Sequence, residues 1–194
     1  YIHSFELNYK KTMGEHTLQS SLFYRKRKDK IERLRVPYEA GVTLDSMANV
    51  GNDYSLGVEL STQLKVTKWW NLDVNGNVYY YKVVNNINAG GKEETSTNYD
   101  ITVNNLLRIC KNTRIQLDGN FVGPSVTTQG RSDSFWFVNL AIRQQLFSPH
   151  LQSTLSFRDI FNSARYRSDI ETANLQSITR IQPKFPVITL TISY

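Results

Sequence analysis

Residues 54–66 put an apolar side chain at every second position, Tyr54, Leu56, Val58, Leu60, Leu64 and Val66, with Thr62 the one interruption. Ser55, Gly57, Glu59, Ser61, Gln63 and Lys65 occupy the alternate positions. A period of two sends successive side chains to opposite faces, so the segment is an extended strand with one apolar and one wet face. The pattern recurs along the chain. Phe5, Leu7 and Tyr9 carry it, then Leu18, Leu22 and Tyr24, then Leu72, Val74, Val78 and Tyr80. Tyr99, Ile101, Val103 and Leu107 follow, then Ile115, Leu117 and Phe121, then Trp136, Val138, Leu140 and Ile142. Leu151, Leu155 and Phe157 and, last, Ile188, Leu190, Ile192 and Tyr194 complete about nine strands.

These strands are near the roughly 9–11 residues that a tilted strand needs to cross a bilayer. Their second faces carry Glu6, Arg25, Glu59, Asp73, Asp100, Arg108, Asp118 and Arg143, too many charges for a protein core. A sheet with one apolar and one charged face fits an antiparallel up-and-down transmembrane β-barrel, whose outside meets lipid and whose lumen meets water. The whole of 1–194 reads as one such segment.

Connections alternate in length. Short ones lie near Met13-Gly14-Glu15, Thr67-Lys68-Trp69, Cys110-Lys111-Asn112 and Ser148-Pro149-His150, and long ones near 28–51, 85–98, 122–133 and 162–185. Outer-membrane barrels have short periplasmic turns and longer extracellular loops. The alternation therefore predicts an orientation, with Tyr194 at the periplasmic side and any ligand contacts in the four long connections. Aromatic residues gather at strand ends, as membrane interfaces favour. Trp69, Trp70, Phe147 and Tyr194 are expected at the short-turn girdle, and Tyr24, Tyr80, Tyr99, Phe135 and Trp136 at the opposite one.

Composition narrows the alternatives. A hydrophobic content of 40% and a mean hydropathy of −0.43 suit a barrel, because only the lipid-facing half of each strand must be apolar. No apolar run is long enough for a transmembrane helix. The net charge of +6 is concentrated around Arg25-Lys26-Arg27-Lys28-Asp29-Lys30, Arg33 and Arg35. This run reads as a solvated strand extension or loop, or as an attraction to anionic lipid headgroups or an anionic ligand, and no nucleic-acid-binding motif accompanies it. Cys110 is alone, so no internal disulfide or cysteine metal site is expected. His3, His16 and His150 are scattered, Glu93 and Glu94 sit in a Gly-Gly-Lys-Glu-Glu loop, and no catalytic signature is present, so neither an enzyme nor a cofactor is expected. Asp159 is expected to initiate a turn by accepting backbone N–H bonds, and Pro183 and Pro186 to mark the entry to the last strand.

Several motifs resemble the late barrel of TonB-dependent outer-membrane receptors, and more closely the Bacteroidetes-type outer-membrane β-barrel group. They are Asn49-Val50-Gly51, Gly57-Val58-Glu59-Leu60, Trp70-Asn71-Leu72 and Asn75-Gly76-Asn77-Val78-Tyr79, then Thr128-Gln129-Gly130, Trp136–Arg143, Phe157-Arg158-Asp159-Ile160-Phe161-Asn162 and the ending Ile188–Tyr194. The resemblance implies a roughly 22-stranded barrel around a plug domain. It also implies import of a scarce nutrient with energy delivered through TonB. Its partners would then be outer-membrane lipid, the remaining strands and plug of the same protein, the TonB complex acting through that plug, and an unidentified small ligand. An odd strand count and a start within strand pattern agree with the C-terminal part of such a barrel. Two other readings are open. One is a small self-contained outer-membrane barrel with a structural or adhesive role. The other is a soluble carbohydrate-binding β-sandwich, whose strands would be nearer 5–6 residues.

Overall fold

The computed structural model describes residues 1–85, 92–146, 151–172, 174–184 and 186–194. Among them are thirteen strands and no helix. Nine strands form one antiparallel sheet in nearly sequential order: β1 (Ile2–Met13), β2 (His16–Glu39), β3 (Val42–Lys65), β4 (Trp70–Asn85), β5 (Lys92–Arg108), β6 (Thr113–Val122), β9 (Phe135–Gln145), β10 (Gln152–Arg158) and β13 (Val187–Ser193). These are the nine strands that alternation predicts. The sheet is not closed, for β1 and β13 are its two edges.

The register brings the apolar positions into lateral rows. Leu7, Leu22, Val58, Val78 and Tyr99 are consecutive partners across β1 to β5. Leu107, Ile115, Ile142, Leu155 and Leu190 continue the band across β5 to β13. Leu7, Leu22, Val58, Val78 and Tyr99 are exposed, as is Leu190 at 62%, and Leu107, Ile115, Ile142 and Leu155 are partly exposed. A band of this breadth exceeds what a water-facing surface tolerates and suits lipid. The other face carries rows such as Ser61, Asn75, Thr102 and Asn120, hydrogen-bonded between Ser61 and Asn75 at 2.6 Å and between Thr102 and Asn120 at 3.0 Å. We call this the inner face.

The long connections depart from the loops expected in two ways. Residues 28–51 are not a loop. They continue β2 and β3 as a paired ribbon that closes at the two residues between Glu39 and Val42, with Gly41 at φ 76°. At its base the register slips twice, first setting Lys28 and Asp29 on β2 against Asn52 on β3 and then leaving Val50 of β3 without a β2 partner. Asp29 (φ 52°) and Gly51 (φ 124°) supply the left-handed conformations of this double bulge. Below it the odd-numbered side chains of both strands face inward, and above it the even-numbered ones do. That switch breaks the alternation on which a strand assignment rests. The second departure is a small sheet in the order β12-β11-β8-β7, built from β7 (Ser125–Val126), β8 (Gly130–Ser132), β11 (Tyr166–Thr172) and β12 (Leu175–Ile181). It uses the connections at 122–133 and 162–185. Of the fourth, 85–98, residues 92–98 belong to β5, and 86–91 lie outside the described residues.

Candidate functional site

Apart from Asp159, the most buried side chains collect on the inner face, at the end away from the short turns: Phe23, Leu34, Tyr81, Val83 and Asp53, with the bulged Val50 beside them. Asp53 is 2% exposed and would be costly to bury uncompensated. It is compensated four times. Arg27 forks onto it, Nε to Oδ1 at 2.8 Å and Nη2 to Oδ2 at 2.5 Å. The Tyr81 hydroxyl donates to Oδ2 at 3.0 Å, and Lys30 Nζ lies 3.1 Å from the same oxygen. Lys30 also donates to the Tyr81 hydroxyl at 2.7 Å and pairs with Glu32. Register explains the meeting, since Arg27, Asp53 and Val83 are lateral partners and the bulge turns Lys30 to the same side.

Next to this cluster the inner face forms a concavity of about 490 Å³ lined by Phe23, Arg25, Arg27, Ser55, Tyr79 and Tyr81. Arg25 sits with its guanidinium 4.5 Å from the centre of the Phe23 ring and pairs with Glu6 at 2.8 Å and Glu59 at 3.8 Å. Glu59 thus takes Arg25, and Lys65 pairs with Glu15. A smaller recess of about 240 Å³ adjoins it, lined by Gln19, Ser21, Glu59, Ser61, Asn75 and Asn77. Asn77 lines both, and its buried Oδ1 has no hydrogen-bond partner among the described residues. Such an acceptor is available to a ligand hydroxyl or N–H. The surroundings suit binding. Among the described residues no group of His, Cys, Asp and Glu is arranged to hold a metal ion.

The second sheet abuts this region through the turn at 127–130, where the Thr128 hydroxyl donates to Glu32 and Gln129 hydrogen-bonds the backbone of Arg35. Its other root is built on Asp159. That side chain is 1% exposed and accepts from the backbone N–H groups of Ser163 at 3.0 Å and Ala164 at 2.9 Å, and from the Ser163 hydroxyl at 3.1 Å. Burial pushes its carboxyl up, but these three bonds outweigh burial and hold it below the ordinary aspartate range. The expected turn-forming role of Asp159 is what the geometry gives, with φ 50° at Asp159 and 51° at Asn162.

The expected girdle residues fall in different places. Trp69 and Trp70 stack at 6.3 Å at a short turn, and Trp70 Nε1 donates to Asn105 at 3.1 Å. Tyr194 is 99% exposed beyond the edge strand β13. Tyr24 and Tyr80 flank Leu56 in one lateral row of the apolar face. Tyr99 stacks on Phe121 at 5.8 Å and Trp136 packs against Phe161 at 5.8 Å. Phe135 departs from the expectation. It lies on the inner face with Phe137, edge-on to Tyr166 of the second sheet at 6.0 Å, because it precedes Trp136 by one residue. Phe147 lies outside the described residues. Asp53 and Tyr81 are not singled out by pattern, Lys30 enters only as one of a basic run, and Thr128 only within a resemblance motif. The one signal was a carboxylate, Asp53, on a wet face directly opposite Arg27.

Comparison with curated proteins and with solved structures finds no match. A family model does match, over residues 1–194. With its lipid-suited band, wet inner face and all-antiparallel strands, the chain belongs to the Outer membrane protein beta-barrel family and resides in the bacterial outer membrane.

Proposed function

We propose that the chain is the wall of an outer-membrane receptor that imports a scarce small nutrient, with transport energised through TonB. The observation that carries this reading is the inner face itself: a polar concavity with paired arginines and an unpartnered acceptor, on a nine-stranded sheet whose edges do not meet. Lipid cannot satisfy the outer ladder groups of β1 and β13, so in the membrane further strands are needed beside them. A barrel widened in this way has a lumen that holds a plug and still leaves a ligand cavity. In this reading the ribbon and the second sheet stand on the extracellular side, Trp69, Trp70 and Tyr194 mark the periplasmic interface, and Tyr24, Tyr80, Tyr99 and Trp136 mark the outer one. The role is transport and binding, without catalysis.

The test uses outer membranes of cells that make the protein. An antibody against residues 28–51 should detect a band several times larger than 22.4 kDa. The detergent-extracted protein should also be retained by the immobilised periplasmic domain of TonB. A band near the mass of this chain, not retained, overturns the reading in favour of a small self-contained barrel.

A further inference from the structure

The ribbon and the second sheet meet through one turn. Gln129 at its apex addresses Arg35 in both directions, accepting from its N–H at 2.9 Å and donating to its carbonyl at 3.0 Å, while Thr128 donates to the Glu32 carboxylate. The turn moves with its own sheet, because β8 is laddered to β11 and the Glu171 N–H donates to the Gln129 carbonyl at 2.8 Å. On the other side Glu32 is neutralised by Lys30, and Lys30 is shared with Asp53 and Tyr81 on the barrel wall. Lys30 owes this position to the bulge, a device that re-aims a side chain and lets a strand bend. A short chain of polar contacts therefore runs from Arg27, which lines the concavity, through Asp53, Lys30 and Glu32 to Thr128.

We propose that Lys30 and Glu32 are a latch: their pairing helps hold the second sheet against the ribbon beside the concavity, and breaking it loosens that sheet, leaving the Gln129–Arg35 bonds as a remaining tie. The coupling to the concavity follows from charge. Asp53 is shared by Arg27 and Lys30, so an anionic ligand group that draws Arg27 away leaves Asp53 to compete with Glu32 for Lys30. Glu32 then loses the cation that fixes its carboxylate in the position from which it accepts from Thr128, and that contact loosens. Two bodies joined by a few polar contacts and separated by a bulge are the kind of element whose two positions a ligand can bias. The inference needs only the barrel and this geometry. It stands whether or not transport is driven by TonB.

The experiment places spin labels at Thr43→Cys on the ribbon and Gln176→Cys on β12, in the full protein in outer membranes, with Cys110→Ser and no other reactive cysteine. Electron–electron double resonance should give one narrow distance distribution. Lys30→Gln and Thr128→Val should each add a longer-distance population, and Arg33→Gln, which removes a cation from the opposite side of the ribbon, should not. Arg27→Gln should add the same population, standing in for a ligand that occupies Arg27. Heat-modifiable mobility on gels identifies assembled protein. If Lys30→Gln fails to assemble, Thr128→Val decides, since it removes one hydroxyl and no charge. An unchanged distribution in assembled Lys30→Gln or Thr128→Val protein overturns the latch. An unchanged distribution in Arg27→Gln overturns its coupling to the concavity.

Discussion

Gly57 shows what a single position contributes to this sheet. It sits between Phe23 on β2 and Tyr79 on β4 in lateral register, and the two rings meet across it at 6.0 Å. A Cβ at this site would lie 2.3 Å from the Tyr79 Cβ and 2.5 Å from the Val78 carbonyl oxygen. Aromatic rings covering a strand glycine restore the packing it lacks and permit local curvature. Gly57→Ala should therefore destabilise the assembled protein by about 1–3 kcal/mol, the usual cost of overpacking. Urea unfolding in lipid vesicles measures it, with Gly119→Ala as the control, because nothing lies within 4 Å of the Cβ added there. At this scale pattern alone gives part of the answer. The alternation puts Gly57 on the wet face, and Asp159 announces its turn by residue type. The charged cluster was not visible because its members are far apart in the chain: Lys30 and Tyr81 are 51 residues apart, and Glu32 and Thr128 are 96.

The nine strands of the large sheet were legible because lipid enforces a strict rule on one face, and the rule is written at every second residue. Neighbouring residues at one depth should therefore respond oppositely to the same substitution. Leu60→Arg puts a charge on the lipid face within the part of β3 below the bulge and should cost roughly 2–4 kcal/mol. Ser61→Arg faces the wet side next to Asn75 and should cost far less. Folding yield into vesicles of defined thickness, titrated with urea, gives both values. A similar cost for the two would mean that the assignment of faces is wrong. The small sheet was not legible for the converse reason. β7 and β8 have two and three residues, too few to establish a period. β11 reads Tyr-Arg-Ser-Asp-Ile-Glu-Thr and has no apolar face for lipid to select. The upper ribbon hid itself differently, because the double bulge changes which residues face inward and the two halves of each strand follow opposite phases.

For the molecule as a whole, the short turns and the ribbon should lie on opposite sides of the outer membrane. A membrane-impermeant maleimide should label Thr43→Cys on intact cells and Asn112→Cys only after the outer membrane is opened, both in the Cys110→Ser background. Labelling of Asn112→Cys on intact cells would invert the orientation. The ribbon then has a consequence for how such a protein can change over generations. From Lys30 to Glu39 it rises about 30 Å along the strand, at ~3.3 Å per residue. Its height is kept by main-chain pairing, so it does not depend on what surrounds it. Gaining two residues in each arm would raise the tip by about 7 Å and leave Leu34 and Glu32 facing inward. Gaining one in each arm would turn every side chain above the insertion to the wrong side. Natural variation in the reach of this hairpin should therefore come in even increments, like the divisions of a ruler.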